Sequence, residues 1–125
     1  MKSEKIITLC FHGPGGHASM PHFAGNPLSA LCALVPVAEG ISRRILEAGE
    51  RGRIYFLSAS SGTKSNVIPE TAEAKVAITA SADDGQAADR ILLHLRDELF
   101  REAQGMADVY RVQAEFIDGK SLIDK

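Results

Sequence analysis

Three histidines stand five residues apart near the start of the chain: His12, His17 and His22. Imidazole is a frequent metal ligand and acid–base group, and three protein ligands are a common set for catalytic zinc. The spacing argues against a shared ion. Five-residue steps through GPGGHASMPH (13–22) do not place the rings on one face, and no Asp or Cys nearby completes a familiar ligand set. Gly13, Gly15 and Ala18 also fit G-x-G-x-x-A after an apolar run, the dinucleotide fingerprint. That motif needs a helix beginning at the glycines. Here Pro21 and Pro27 interrupt the segment, and Glu39, at the distance of the ribose-binding acid, falls inside a helix. GTKS (62–65) lacks the order of residues of a phosphate loop, and Ser19 has no nucleophile-elbow motif around it. Two readings of His17 remain: a polar contact for a substrate or partner, or a surface-loop histidine without a role. Asn66, in SNVIP, either holds a tight turn or presents its amide to a ligand carboxylate.

These residues need elements to hold them. IITLCFH (6–12) is β-rich and ends at the glycines, so it reads as a first strand leading into a loop over 13–25. Asn26-Pro27 opens a helix as N-cap and first-position proline. Leu28, Leu31, Leu34, Val35, Ala38, Ile41 and Ile45 keep the helical period, which predicts a helix over 26–46. Pro36 inside it bends the helix by freeing the carbonyl of Cys32. IYFLSAS (54–60) is a second strand, and 62–69 is a loop. Ala72, Ala74, Val76 and Ile78 alternate with Glu73, Lys75, Ala77 and Thr79, the pattern of a third strand with one wet face. Asp83 and Asp84 open a second helix where its dipole favours acids. Its apolar face is Ala88, Ile91, Leu92, Leu95, Leu99 and Ala103, and Gly105 is its expected stop. Tyr110, Val112, Ala114 and Phe116 alternate in a last strand.

The order β-α-β-β-α-β defines an α+β, ferredoxin-like fold. Right-handed crossovers give a four-stranded antiparallel sheet, order 4-1-3-2, with both helices on one face. In that topology the first two strands end at the same sheet edge. The loop carrying His17 and the loop over 62–69 are therefore expected to be neighbours, and convergence of two such loops suggests a binding site.

A chain of 125 residues reads as one domain. A net charge of −2 offers no basic field for nucleic acid or a membrane surface. Cys10 and Cys32 have no zinc-type spacing and read as buried free thiols of a reducing compartment. MKSEK is followed by too short an apolar run for a signal peptide or a membrane span, so the chain reads as cytoplasmic.

GGHASMPH (15–22), NPL (26–28) and NVIPE (66–70) together resemble one family, in order, spacing and place on the elements. It is the dimerisation or lid domain of the di-zinc aminoacylases, hippurate hydrolases, succinyl-diaminopimelate desuccinylases and related exopeptidases. The resemblance covers about residues 6–116. It implies a lid inserted into a larger catalytic domain that carries two zinc ions, with lids pairing helix beside helix and edge strand beside edge strand. It implies that His17 reaches the partner subunit's active site and stabilises an oxyanion, as a preorganised donor does. It implies that Asn66 contacts the substrate's carboxylate end and that Gly15 and Gly16 shape the loop. The substrate class is an N-acyl amino acid or peptide.

The sequence departs from the family in three ways. It has no H-x-D motif and no paired Glu-Glu, so it holds no metal site of its own and cannot run two-metal hydrolysis alone. Thr79 stands where many members carry an arginine. The chain also begins and ends near the domain edges, as expected for a lid excised from a longer enzyme. The expected dimer surface is the outer side of the first helix and the second strand, an edge without charges to block pairing. Two other readings are a free-standing carboxylate-binding or regulatory module and a purely structural interaction domain.

Overall fold

Each long strand alternates between a face that meets the helices and a face that does not. In β1 (Lys2–His12), Ser3, Ile7, Leu9 and Phe11 are buried; in β5 (Thr71–Ser81), Ala72, Ala74, Val76, Ile78 and Ala80 are buried. That two-residue period sets which side of the sheet the helices cover. A computed structural model of the chain describes residues 2–13, 16–17, 26–41, 50–62 and 67–124; of 16–17, 67–68 and 118–124 it describes the backbone. In chain order the elements are β1, β2 (Gly16–His17), α1 (Pro27–Ile41), β3 (Arg51–Ser61), β4 (Val67–Ile68), β5, α2 (Gly85–Tyr110) and β6 (Gln113–Asp124).

The four long strands form one antiparallel sheet in the order β3-β5-β1-β6. Read from the other edge this is the expected 4-1-3-2. Both helices pack on one face, and the core is a single cluster of strand and helix side chains. Leu95 and Leu99 of α2, Leu34 and Ile41 of α1, and Phe11 of β1 are among the fully buried side chains. Each such apolar side chain contributes about 1.5–3 kcal/mol on leaving water. At the β6 edge, Phe100 of α2 stacks on Phe116 with ring centroids 4.0 Å apart.

The helix ends follow local chemistry. Asn26 caps α1: its side-chain oxygen accepts from Ser29 N at 3.2 Å and its carbonyl from Ala30 N at 3.1 Å. Leu28, expected on the apolar face, is 39% exposed, because the face that turns inward runs through Pro27, Ala30, Leu31, Leu34, Ala38 and Ile41. The rest of the predicted first helix, 42–46, lies outside the described residues. Asp84 caps α2, accepting from Gln86 N at 2.8 Å. The second helix does not stop at Gly105. It continues to Tyr110, because Ala107 gives the apolar stripe one more buried turn, and ends at Arg111 in the left-handed conformation (φ 59°, ψ 46°). Tyr110 thus belongs to the helix, not to the last strand.

Two further expectations change. Cys32 is exposed on α1, and Cys10 is half-buried on the sheet face away from the helices. That face is not uniformly wet either, since Ala77 is buried between its ladder partners Ile6 and Tyr55.

Candidate functional site

Strands β1 and β3 end at one edge of the sheet, and the two loops that follow them meet there. Gly16 pairs with Ile68 and His17 with Val67, antiparallel. The two-residue ladder joins the His17 loop to the loop that contains Asn66, as the topology requires. Lower down, Gly13 N donates to Glu70 O at 2.9 Å and closes the base of both loops. Gly15 and Asn66 lie outside the described residues; Gly16 and His17 are described in backbone only.

Gly13 has a packing reason to be glycine. A Cβ there would meet Val112 Cγ1 at 3.1 Å and the Pro27 ring at 3.2 Å. The strand end, the start of α1 and the segment after α2 therefore converge on one backbone atom. Asn26 N also donates to Tyr110 O at 3.3 Å, tying the far side of the His17 loop to the end of α2. The loop is thus anchored at both feet by core elements, a requirement for holding a group in fixed geometry.

Beside these anchors lies a cleft lined by His12, Gly13, Arg111, Val112 and Gln113. His12 Nε2 lies 2.8 Å from Glu115 Oε2, an exposed pair between β1 and β6. Arg111 is the one described non-glycine residue at positive φ. Sequence reasoning missed Arg111, Gln113 and Glu115 as neighbours of this edge. Their signal was hidden because a helix stop at Gly105 removes the turn that delivers Arg111 here. Farther along the open sheet face, burial first and then the carboxylates of Glu73 and Glu115 push the Cys10 thiol above its usual range. Both glutamates are ladder partners of Cys10.

Thr79 is not at this edge. It lies eight residues along β5 from Thr71, on the order of 27 Å away, paired with Glu4 on one side and Arg53 on the other. Among the described residues no three His, Cys, Asp or Glu side chains gather as a metal site would require, so the donor set of the described chain does not fit a di-zinc centre. No described helix is long and apolar enough to cross a membrane.

A four-stranded open-faced α+β sandwich with two paired loops at one sheet edge is thus the class this chain defines. The family model for the peptidase dimerisation domain matches residues 3–107, and the chain belongs to that family. It is 39% identical over 89 residues to N-acetyldiaminopimelate deacetylase of Geobacillus thermodenitrificans, covering 70% of this chain and 23% of that protein. It is 27% identical over 116 residues to N-acetylcysteine deacetylase of Bacillus subtilis, covering 93% of this chain and 29% of that protein. Among solved structures, the aminobenzoyl-glutamate utilization protein from Klebsiella pneumoniae superposes with a TM-score of 0.77 at 19% identity, over 94% of this chain and 28% of that one. That likeness concerns the fold. The chain spans about a quarter of the length of these relatives.

Proposed function

We infer that this chain is the lid and dimerisation domain of a larger, zinc-dependent, cytoplasmic amidohydrolase or exopeptidase acting on an N-acyl amino acid or peptide. The zinc ions belong to a catalytic domain outside this chain. In this reading His17 donates to the oxyanion formed in the partner subunit's active site. Asn66 binds the substrate's carboxylate end, and Gly15 and Gly16 let the loop follow its tight path. The homodimer forms through α1 and β3. The observation that carries the reading is the short ladder of Gly16–His17 with Val67–Ile68 at the end of the sheet. It makes one unit of the two loops that folding alone leaves unexplained. The deacetylase names of two relatives supply the reaction class.

The dimer surface has its own support. β3 is an edge strand, and its ladder to β5 shifts between Phe56 and Ser58, leaving Leu57 50% exposed. Residues 57–60 are exposed and uncharged, and nothing on the described chain caps that edge. In the intact enzyme, His17→Ala is expected to lower turnover roughly a hundredfold or more while the subunits stay paired. Unchanged turnover in a paired enzyme refutes the catalytic role. Tight binding of acylated amino acids by the isolated chain would instead favour a free-standing binding module.

A further inference from the structure

The chain's net charge is −2, so a local cluster of cations runs against its composition. At the end of the sheet remote from the paired loops, the register lines up Lys2, Ser81 and Arg51 in one row. The next row in the same register holds Glu4, Thr79 and Arg53. Directly paired residues share a sheet face. Here it is the face without helices, since the row between them contains buried Ser3 and Ala80. A cleft opens over these rows, lined by Lys2, Glu50, Arg51, Arg53, Thr79 and Ser81, with the backbone of Gly52 and Ala80.

The carboxylates around the cleft lie beside Lys2 or are engaged elsewhere, which leaves the two arginines. Glu50 is engaged by Arg90 at 3.3 Å. Glu4 stands two strand spacings from Arg53, about 10 Å. Asp124 is the ladder partner of Lys2. Among the described side chains, none of Lys2, Arg51 or Arg53 has a carboxylate partner. The Arg53 guanidinium lies 5.1 Å from the centre of the Tyr55 ring, which restricts where it can point. Arg51 is two residues away on the same face, about 7 Å along the strand. Arg51 and Arg53 this close repel one another, and the hydroxyl-bearing Ser81 and Thr79 are their ladder partners.

We propose that this cleft binds a small anion presenting two or more carboxylate or phosphate oxygens. Arg51 and Arg53 take oxygens through their planar forks, and Ser81 and Thr79 donate from their hydroxyls. The site is separate from the paired loops, and its arginines lie on the β3 strand outside the exposed 57–60 stretch offered for pairing.

The test is a titration of the isotopically labelled chain, followed by backbone amide shifts, with succinate, with inorganic phosphate, and with sodium chloride at matched ionic strength. Saturable shifts at residues 2, 51, 53, 79 and 81 are expected with succinate or phosphate. Saturation by succinate alone assigns a carboxylate site, and by phosphate a phosphate site. Arg51→Gln with Arg53→Gln should raise the apparent Kd at least tenfold. Arg101→Gln, which removes one exposed cation elsewhere, should leave it within twofold. Equal shifts with chloride, or an unchanged Kd in the double variant, overturns the proposal. Both arginines are exposed, so the double variant should unfold at the parent's temperature. Should it fail to fold, Arg53→Gln alone must weaken binding at least threefold.

Discussion

Gly105 separates two accounts of the second helix by the sign of one substitution. In the structure it lies inside α2, which runs on to Tyr110, and a Cβ added there meets nothing within 4 Å. Its φ is not in the left-handed region. Gly105→Ala therefore gains helix propensity and restricts the unfolded chain, without a clash. Glycine inside a helix costs roughly 0.5–1 kcal/mol relative to alanine, so the variant should be more stable by about that amount. Unfolding entropy is about 2.1 cal/mol/K per residue, which makes 1 kcal/mol worth about 4 °C in a chain of this size. The melting temperature, followed by far-UV circular dichroism, should rise by about 2–4 °C. Were Gly105 the left-handed stop that the sequence pattern suggests, alanine there would cost about 1–2 kcal/mol, and the melting temperature would fall. A fall refutes the extended helix, and with it the delivery of Arg111 to the loop edge.

Gly13→Ala should act in the opposite direction. Its Cβ contacts at 3.1–3.2 Å, two of them to a proline ring, call for a local shift. Overpacking costs about 1–3 kcal/mol, offset in part by about 0.4–1 kcal/mol from the unfolded chain; a rise in melting temperature would contradict the packing. The two thiols should differ in reactivity. Cys32 is exposed, whereas Cys10 is half-buried between Glu73 and Glu115 with its thiol pushed up. A raised value means less thiolate at any given pH below it, so iodoacetamide should modify Cys10 more slowly, along a profile displaced to higher pH. Glu73→Gln should move that profile back down, and no movement would exclude the carboxylate's influence.

Much of the architecture was legible because its determinants are local or periodic. Asn26-Pro27 and Asp84 announce helix starts through groups that their own backbones need. The alternation of Ala72 to Ile78 and the stripe Ala88 to Ala103 fix which faces turn inward, and strand order then follows from handedness. The meeting of the two loops was legible for the same reason, as a consequence of topology. What was not legible depended on tertiary contacts. Gly105 is a plausible stop on propensity alone, and only the burial of Ala107 against the core carries the helix past it. Cys32 sits in an apolar run but on the outward side of α1, a distinction set by how the helix is rotated against α2. The cleft lined by Lys2, Arg51 and Arg53 draws on two distant strands, and no local pattern relates them.

The central claim is that this chain pairs with a copy of itself through α1 and the β3 edge. Sedimentation equilibrium of the isolated chain at high micromolar concentration tests it most directly. The account predicts a species of twice the 13.4 kDa chain mass, returned to monomer by Leu57→Lys on the exposed edge. A mass of 13.4 kDa throughout that range contradicts it.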